Sequence, residues 1–392
     1  MTGALDADRI VESAVAAAGV DDPRPERFRA NLDLLVATIN DEAALLPHGE
    51  VSAALTLANE QRKRIQVSHW AATCPEIAEE SIDEPFFLTG LPRSGTTYFQ
   101  YLFDSDPSMR MVRTWEGDAP CPPPGSDPDD AARRREAAKE AERVRKTENA
   151  LSKKIAEIHL TDYDGPQECL AMLSQTFADP GAYWTYSVPT YFARLLDTVD
   201  KRSAYEHHKL VLQLLQWKRP ALRWVLKWPC HLVALDEILA VYPDAKFIVT
   251  HRDPVKALAS NASLAHLLRS HTSSNADKHL IGAQMKDMIG TYIERLVAFD
   301  DLHAGTGRVV HADYRQLVVD PVPVMSSVFA ELGLEMSPDV QTNVASWRRE
   351  NPQNKRGVHT YALEEYGLDA DAIAEEWAFY IDRYGIEAEG GE

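Results

Sequence analysis

The chain has 392 residues, of which 41 are lysine or arginine and 60 are aspartate or glutamate, so its formal net charge is −19. This length is enough to bury a large core, either as one α/β domain or as a core with a helical region. The acidic balance argues against nucleic acid as a partner, because nucleic-acid binding favours a basic face. Four scattered cysteines without CxxC spacing indicate neither a metal site nor a disulfide scaffold.

The amino-terminal region, residues 1–84, predicts helices at 6–18, 26–46 and 51–70, because apolar residues recur there at helical spacing. We expect these helices to pack against a core or to wall a binding pocket. The start of the chain lacks the charged-then-apolar pattern of a signal peptide. No apolar run approaches the roughly 18 residues of a membrane span. We therefore expect a cytoplasmic protein without a membrane span.

Residues 85–97 read Pro-Phe-Phe-Leu-Thr-Gly-Leu-Pro-Arg-Ser-Gly-Thr-Thr. The apolar start predicts a buried strand, which is followed by a glycine-bounded loop and by a helix from Thr96. The loop N–H groups and the positive end of the helix dipole form a cradle for an anion. The spacing of Gly90 and Gly95 is that of a P-loop. However, Thr96 stands where a P-loop has lysine, and the cation is Arg93, inside the loop.

Residues 85–334 form the predicted α/β core, which a charged helical insertion interrupts near 117–158. Within this insertion, residues 117–130 are rich in proline and aspartate and predict a loop. Residues 129–158 predict a highly charged helix with a solvated face. The remaining residues, 335–392, predict helices and a tail that contribute to a ligand site of the core.

The segment 221–263 predicts two buried strands, each followed by a helix: strand 222–227, helix 230–241, strand 245–251 and helix 254–262. A later strand is predicted at 308–314. Strands that are joined by a helix form a right-handed unit of a parallel sheet, whose ligands bind beyond the carboxyl ends of the strands. Lys227, Arg252 and the 90–97 loop all lie at such ends. We therefore expect them to converge on one crevice.

Arg252 and Ser260 are eight residues apart, which is about two helical turns, so both can face one side of a helix. A guanidinium group offers a planar fork for a phosphate, and a serine hydroxyl adds a donor. The alternative is that Arg252 pairs with Asp253 or with a surface carboxylate, and that Ser260 is an exposed helix residue. Next to the anion loop, the pair indicates a phosphate site.

These motifs resemble those of sulfotransferases that use 3′-phosphoadenylyl sulfate (PAPS). The Pro-Arg-Ser-Gly-Thr-Thr stretch is similar to the 5′-phosphosulfate loop of the bacterial and tyrosylprotein branches, and Arg252 with Ser260 resembles the 3′-phosphate site. The resemblance implies an α/β fold with a P-loop-like parallel sheet flanked by helices. It also implies PAPS as the donor, no metal, and a small-molecule acceptor whose hydroxyl receives the sulfuryl group.

The resemblance also implies roles for individual residues. Arg93 and Lys227 are expected to meet the charge on the sulfonate and on the bridging oxygen of the leaving nucleotide. Tyr314 matches the tyrosine near the adenine. The segment Asn354-Lys355-Arg356-Gly357 resembles the late segment that wraps the 3′-phosphate, and one of its two basic residues makes that contact. The expected donor-binding residues are Arg93, Ser94, Gly95, Thr96, Thr97, Arg252, Ser260, Tyr314, Lys355, Arg356 and Gly357.

A general base must take the proton of the acceptor hydroxyl. The lysine-x-histidine pair of the steroid branch is absent, since Lys227 is followed by Trp-Pro. Other branches use a glutamate a little over twenty residues after the loop cation, and Glu116 fits this spacing at the expected end of the second strand. His231, in the first turn of a helix facing the crevice, is the next candidate. Glu168, near the start of another predicted helix, is the third.

The acceptor is less defined by these motifs. Aromatic residues concentrate in 160–192, and with Trp115 and Trp228 they either belong to the core or line a pocket for a lipophilic alcohol, a phenol or a glycolipid. A P-loop kinase or NTPase is an alternative, but it requires lysine at position 96 and an aspartate that binds Mg²⁺. A non-catalytic nucleotide-binding protein is another, and it would need neither Lys227 nor Glu116.

Overall fold

The computed structural model describes residues 4–126, 162–220, 223–351 and 362–389, together with residues 130, 132, 135, 136 and 139. Its centre is a sheet of five strands, which lie in the order β2-β3-β1-β4-β5 and pair in parallel throughout. The strands are β1 (Phe86–Gly90), β2 (Met109–Arg110), β3 (Arg223–Lys227), β4 (Lys246–His251) and β5 (Val309–Asp313). The predicted α/β fold with a parallel sheet is confirmed.

Helices cover both faces of this sheet, as parallel sheets require. In the described residues they are α1 (Ala7–Ala18), α2 (Arg29–Glu42), α3 (Pro47–Thr73), α4 (Thr96–Phe103), α5 (Thr114–Asp118), α6 (Leu170–Leu173), α7 (Ala182–Thr185), α8 (Pro189–Asp197), α9 (Lys201–Gln216), α10 (Leu235–Val241), α11 (Pro254–Thr272), α12 (Lys278–Leu302), α13 (Tyr314–Val319), α14 (Pro321–Glu331), α15 (Pro338–Glu350), α16 (Ala370–Glu376) and α17 (Ala378–Tyr384). Short 3-10 helices lie at Pro75–Glu79, Ser174–Thr176, Pro229–Val233 and Leu363–Tyr366. Within the part of the chain that is described, no helix combines the length and the apolar character needed to cross a bilayer.

The core divides along the two faces of the sheet. Successive side chains of a strand point to opposite faces. Phe87 therefore packs into a large cluster that includes residues of α2, α9 and α12. Its neighbours Phe86 and Leu88 pack into a second cluster with α4, α14 and α15. All five residues of β1 are buried, so this central strand fixes the position of the loop that follows it.

Several sequence-based helix boundaries need correction. The predicted helix 26–46 is shorter, since α2 covers Arg29–Glu42 and Ala44 has a left-handed φ of 46°. The predicted helix 51–70 is longer, since α3 covers Pro47–Thr73.

Two further corrections concern the segment after β3. The predicted helix 230–241 is a 3-10 helix over Pro229–Val233 and then α10, because the backbone is interrupted at Ala234, which has φ −146°. The predicted helix 254–262 continues to Thr272 as α11. It begins sharply, because Asp253 accepts the N–H groups of Val255 and Lys256 and a proline follows it. The predicted charged helix 129–158 lies largely outside the described residues.

Buried imidazoles make this fold sensitive to acid. Burial lowers the pKa of His208 and of His251 to about 3, and it lowers the pKa of His207 and of His231 well below the ordinary value. These four rings are neutral in the folded protein, and they gain protons on unfolding below about pH 6.5. Burial raises the pKa of Asp179 to about 7. This carboxyl is therefore protonated in the folded protein near pH 5 and releases a proton on unfolding, which offsets the proton uptake of one imidazole.

We expect the melting temperature to fall steeply as the pH is lowered from about 7 to about 5. The four buried imidazoles outnumber the one carboxyl whose pKa is raised, so unfolding takes up protons in this range and the free energy of unfolding falls as the pH falls. Thermal denaturation over a pH series measures the slope. His208→Gln should make it shallower, whereas His279→Gln, at an exposed position of α12, should leave it unchanged. A flat or rising profile would contradict this prediction.

Candidate functional site

The loop between β1 and α4 has a backbone conformation that suits an anion. Arg93 has φ 72° and Gly95 has φ 84°, both in the left-handed region. Left-handed residues within a turn direct successive N–H groups toward one point, and the amino terminus of α4 adds the positive end of its dipole. The Ser94 hydroxyl lies 2.7 Å from the Thr250 hydroxyl, which ties the loop to β4.

The glycines that bound this loop cannot be replaced without movement of their neighbours. A Cβ atom at Gly90 would lie 2.5 Å from the Thr250 carbonyl oxygen of the adjacent strand. A Cβ atom at Gly95 would lie 2.3 Å from the ring of Tyr314. The close approach of backbone and ring, together with the positive φ values, explains why the motif needs glycine at both places.

Lys227, the last residue of β3, presents its ammonium group to the start of α4. The side chain is only 1% exposed, it pairs with the Glu168 carboxylate, and it donates a hydrogen bond to Thr97 Oγ1 at 2.8 Å. The neighbour of Glu168, Cys169, donates its N–H to the Lys227 carbonyl oxygen at 2.8 Å. A cation and a carboxylate therefore lie together beside the anion loop.

A second group of charges lies on the other side of the loop. Arg93 Nε donates to Ser260 Oγ at 3.0 Å, and Arg252 Nη1 donates to the Arg93 carbonyl oxygen at 2.8 Å. The Arg252 guanidinium carbon lies 4.5 Å from the centre of the Tyr314 ring. The structure thus brings together four of the residues that the sequence predicts for the donor site.

Asn261 is a further residue of this group, and the sequence analysis missed it. It is fully buried, its Nδ2 donates to the Pro92 carbonyl oxygen at 2.9 Å, and its Oδ1 accepts from Trp184 Nε1 at 3.1 Å. The amide therefore holds the anion loop against α11 and the helix α7. The feature of the sequence that could have indicated Asn261 was its position directly after Ser260.

Arg252 also binds a carboxylate that the sequence did not single out. Glu389 Oε1 lies 2.6 Å from Arg252 Nε, and Glu389 Oε2 lies 2.7 Å from Arg252 Nη2. The sequence-based alternative was a pair with Asp253 or with a surface carboxylate. Asp253 instead caps α11, and the Arg252 guanidinium pairs with Glu389, a carboxylate that is distant in the sequence.

Three expected donor-binding residues, Lys355, Arg356 and Gly357, lie outside the described residues. The helix that precedes them, α15, packs on the helix after the anion loop, since the ring of Trp347 lies 5.3 Å from that of Tyr98. Their contact with a 3′-phosphate stays a prediction.

Glu116 lies in α5 and not at the end of the second strand, which stops at Arg110. One of its carboxylate oxygens accepts the N–H of Arg113 at 2.9 Å, and the other lies 3.3 Å from Arg110 Nη2. The carboxylate therefore caps the first turn of α5 and balances the charge of Arg110. Both contacts are structural.

His231 faces the core and not the crevice. It lies in the 3-10 helix after β3, it is completely buried, and its Nδ1 is 2.7 Å from the Tyr205 hydroxyl. Its ring packs edge-on against Phe87 at 5.0 Å between centres. Burial holds the pKa of His231 well below the ordinary value, so the ring is a poor proton acceptor at neutral pH.

The aromatic residues of 160–192 mostly belong to the core. Less than 9% of the surface is exposed in Phe177, Tyr183, Trp184, Tyr186, Tyr191 and Phe192. Trp228, next to Lys227, is fixed by a hydrogen bond from Nε1 to Asp179 Oδ1 at 3.2 Å. Trp184 and Trp228 lie 6.3 Å apart between ring centres. Both rings are buried in the larger core cluster, and Trp228 is the residue that follows Lys227 in the chain.

The structure combines a parallel sheet, an arginine-bearing anion loop after its central strand, and a second arginine, Arg252, that contacts this loop, while Ser260 accepts a hydrogen bond from Arg93. This is a P-loop-like arrangement. The family model described as "Sulfotransferase family" matches residues 85–339, and the chain belongs to this family. The solved structure of sulfotransferase STF9 from Mycobacterium avium is similar over 100% of this chain and 99% of its own, with TM-score 0.88 and 28% identity. That of STF1 from Mycobacterium tuberculosis H37Rv covers 97% of this chain and 100% of its own, with TM-score 0.81 and 26% identity.

Curated relatives from Mycobacterium bovis and Mycobacterium tuberculosis carry the name omega-hydroxy-beta-dihydromenaquinone-9 sulfotransferase Stf3. They are 24% identical to this chain over 191 residues, which is 44% of this chain and 46% of theirs. The matched part of the chain thus spans about half the length of these relatives.

We expect Gly95→Ala to abolish binding of adenosine 3′,5′-bisphosphate, because the new Cβ would displace Tyr314 and strain the loop. Gly333→Ala is a matched control, since Gly333 has φ 80° but nothing within 4 Å of a Cβ. Both variants should lose about 1 kcal/mol of stability to the left-handed backbone. Calorimetric titration should show that only Gly95→Ala loses the ligand. If both variants bind the bisphosphate equally well, this loop is not part of the nucleotide site.

Proposed function

We propose that the protein transfers a sulfuryl group from PAPS to the hydroxyl group of a lipophilic acceptor. The observation that carries the proposal is the position of the Lys227 ammonium, which contacts both Thr97 at the start of α4 and the Glu168 carboxylate. A cation for the leaving oxygen and a carboxylate for the acceptor proton therefore meet at the end of the anion loop.

The two groups of anion-binding residues suit the two charged ends of PAPS. The loop with Arg93, whose close packing leaves no room for a side chain at Gly95, suits the 5′-phosphosulfate. Arg252 and Ser260 suit the 3′-phosphate, because a guanidinium and a hydroxyl both donate to phosphate oxygens. Tyr314 lies between these groups, against Gly95 and below Arg252. A nucleotide donor is available in the cytoplasm, the location expected from the sequence.

In the proposed reaction the acceptor oxygen bonds to sulfur, while the bond from sulfur to the bridging phosphate oxygen breaks. Adenosine 3′,5′-bisphosphate leaves with the electron pair of that bond. Negative charge grows on the bridging oxygen, and a preorganised cation stabilises it more strongly in the transition state than in the ground state. Lys227 and Arg93 are the cations assigned to this task.

We assign the general base to Glu168, the third of the sequence-based candidates. Its carboxylate is beside Lys227, and its side chain is 12% exposed, so an acceptor can reach it. Glu116 is engaged by Arg110 and Arg113, and His231 points into the core.

The proposed acceptor is a lipophilic alcohol or phenol. Trp228 directly follows Lys227 and lies near Trp184, so the chain next to the lysine is apolar, and the relatives named Stf3 carry a hydroxylated menaquinone in their name. A glycolipid is a further member of the class that the sequence predicts. Each of these acceptors presents a hydroxyl on an apolar body, which suits a site with apolar residues next to a cation.

Adenosine 3′,5′-bisphosphate should stabilise the protein by about 2.7 kcal/mol when present at about 100 times its dissociation constant. AMP should bind weakly, because it has no 3′-phosphate for Arg252. Arg252→Ala should remove the preference for the bisphosphate, whereas Arg315→Ala, at a half-exposed arginine that pairs with Glu387, should retain it. Thermal-shift titrations measure these preferences. Equal binding of both nucleotides, or stronger stabilisation by ATP–Mg²⁺, would overturn the donor assignment.

Glu168→Gln keeps a hydrogen-bond acceptor for Lys227 but removes proton acceptance. We expect turnover to fall by about 10²–10⁴, the usual contribution of a positioned base, with little change in bisphosphate affinity. Turnover is measured with sulfur-labelled PAPS and a hydroxylated lipid quinone. Glu116→Gln, whose amide oxygen can still accept the N–H of Arg113 although the contact with Arg110 is lost, is the control, and its turnover should stay near wild type. If Glu116→Gln is inactive and Glu168→Gln is active, the general base is Glu116, the candidate favoured by its spacing after Arg93.

A further inference from the structure

Glu389 binds Arg252 in the geometry in which arginine binds a phosphate. Its two carboxylate oxygens meet Nε and Nη2 side by side, at 2.6 and 2.7 Å. Paired, charge-assisted hydrogen bonds of this kind are the strong and directional contacts of guanidinium groups. The side chains of Arg252 and Glu389 are 22% and 21% exposed, so water reaches the pair.

The remaining parts of the Arg252 guanidinium are used within the site itself. Nη1 donates to the Arg93 carbonyl oxygen at 2.8 Å, and the flat face of the group lies over Tyr314. The edge formed by Nε and Nη2 is therefore the edge from which Arg252 can offer paired hydrogen bonds to a ligand. Glu389 holds this edge.

The segment 386–389 is held in place by several contacts besides this ion pair. Ile386, just after α17, is buried in the core, and Glu387 pairs with Arg315. The backbone N–H of Glu389 donates to Asp253 Oδ2 at 2.9 Å. Because Asp253 also caps α11, the segment is attached to the same turn that carries Arg252.

We propose that the segment 386–389 is an internal ligand of the 3′-phosphate site and that the Glu389 carboxylate stands where the 3′-phosphate binds. This inference rests on the proposed function, which assigns Arg252 to that phosphate. A nucleotide with a 3′-phosphate must displace the carboxylate, and its apparent affinity equals the intrinsic affinity multiplied by the fraction of protein in which the edge is free.

Glu389→Gln removes the charge of this internal ligand and keeps its size. We expect the dissociation constant of adenosine 3′,5′-bisphosphate to fall by about 3- to 10-fold, because the edge is then available more often. The dissociation constant of AMP should not change, because AMP has no group that competes for Arg252. Glu376→Gln is the control, since it removes an exposed carboxylate that pairs with Lys286 and touches neither Arg252 nor the segment 386–389. It should change neither constant, as measured by calorimetric titration of the full chain.

Combining the variants separates this inference from the donor assignment. In an Arg252→Ala background, Glu389→Gln should have no further effect on the bisphosphate. If Arg252→Ala weakens the bisphosphate but Glu389→Gln leaves it unchanged or weaker, the internal ligand is refuted and the donor assignment stands. Equal tightening of AMP and bisphosphate would also refute it, as a general charge effect. If Arg252→Ala has no effect on the bisphosphate, the donor assignment itself fails.

Discussion

A nearly completely buried ammonium group determines the arrangement of the site around it. Lys227 is 1% exposed, and an unpaired charge at such a position would cost several kcal/mol. Glu168 and Thr97 supply the compensation, so a carboxylate and the start of α4 must both lie at this point. The register of the sheet places Lys227 opposite Leu88, just before the anion loop, and thereby delivers the charge to the loop.

The two ion pairs of the site differ in solvent exposure, in a way that suits the roles proposed for them. The Lys227–Glu168 pair is 1% and 12% exposed, whereas the Arg252–Glu389 pair is 22% and 21% exposed. A buried pair is costly to break, because separation leaves an uncompensated charge in a medium of low polarity. A more hydrated pair can exchange one anion for another at little cost. The permanent pair thus suits the chemistry, and the exchangeable pair suits ligand binding.

The sequence predicted what depends on local pattern. The strands β1, β3, β4 and β5, the anion loop, and the start of the helix after Asp253-Pro254 follow from neighbouring residues, and the structure has them close to their expected bounds. The end of that helix at Thr272 and the early end of the second strand at Arg110 were not predicted. Contacts between distant segments were not accessible in this way. Glu389 meets Arg252 across 137 residues, and Glu168 reaches Lys227 through a backbone contact of the next residue. Spacing alone favoured Glu116, because it carries no information about the direction of a side chain.

The anion loop connects the two charge groups, so the two sites proposed for the ends of the nucleotide are not independent. Arg93 contributes its carbonyl oxygen to Arg252 and its side chain to Ser260, while Asn261 holds the preceding carbonyl group. The left-handed conformation of Arg93 costs about 1–3 kcal/mol, and such strain persists only where surrounding contacts enforce it. That cost is met during folding and not during binding. A cradle that is already formed loses less entropy when the ligand arrives, and it presents fixed dipoles to the charge that develops in the reaction.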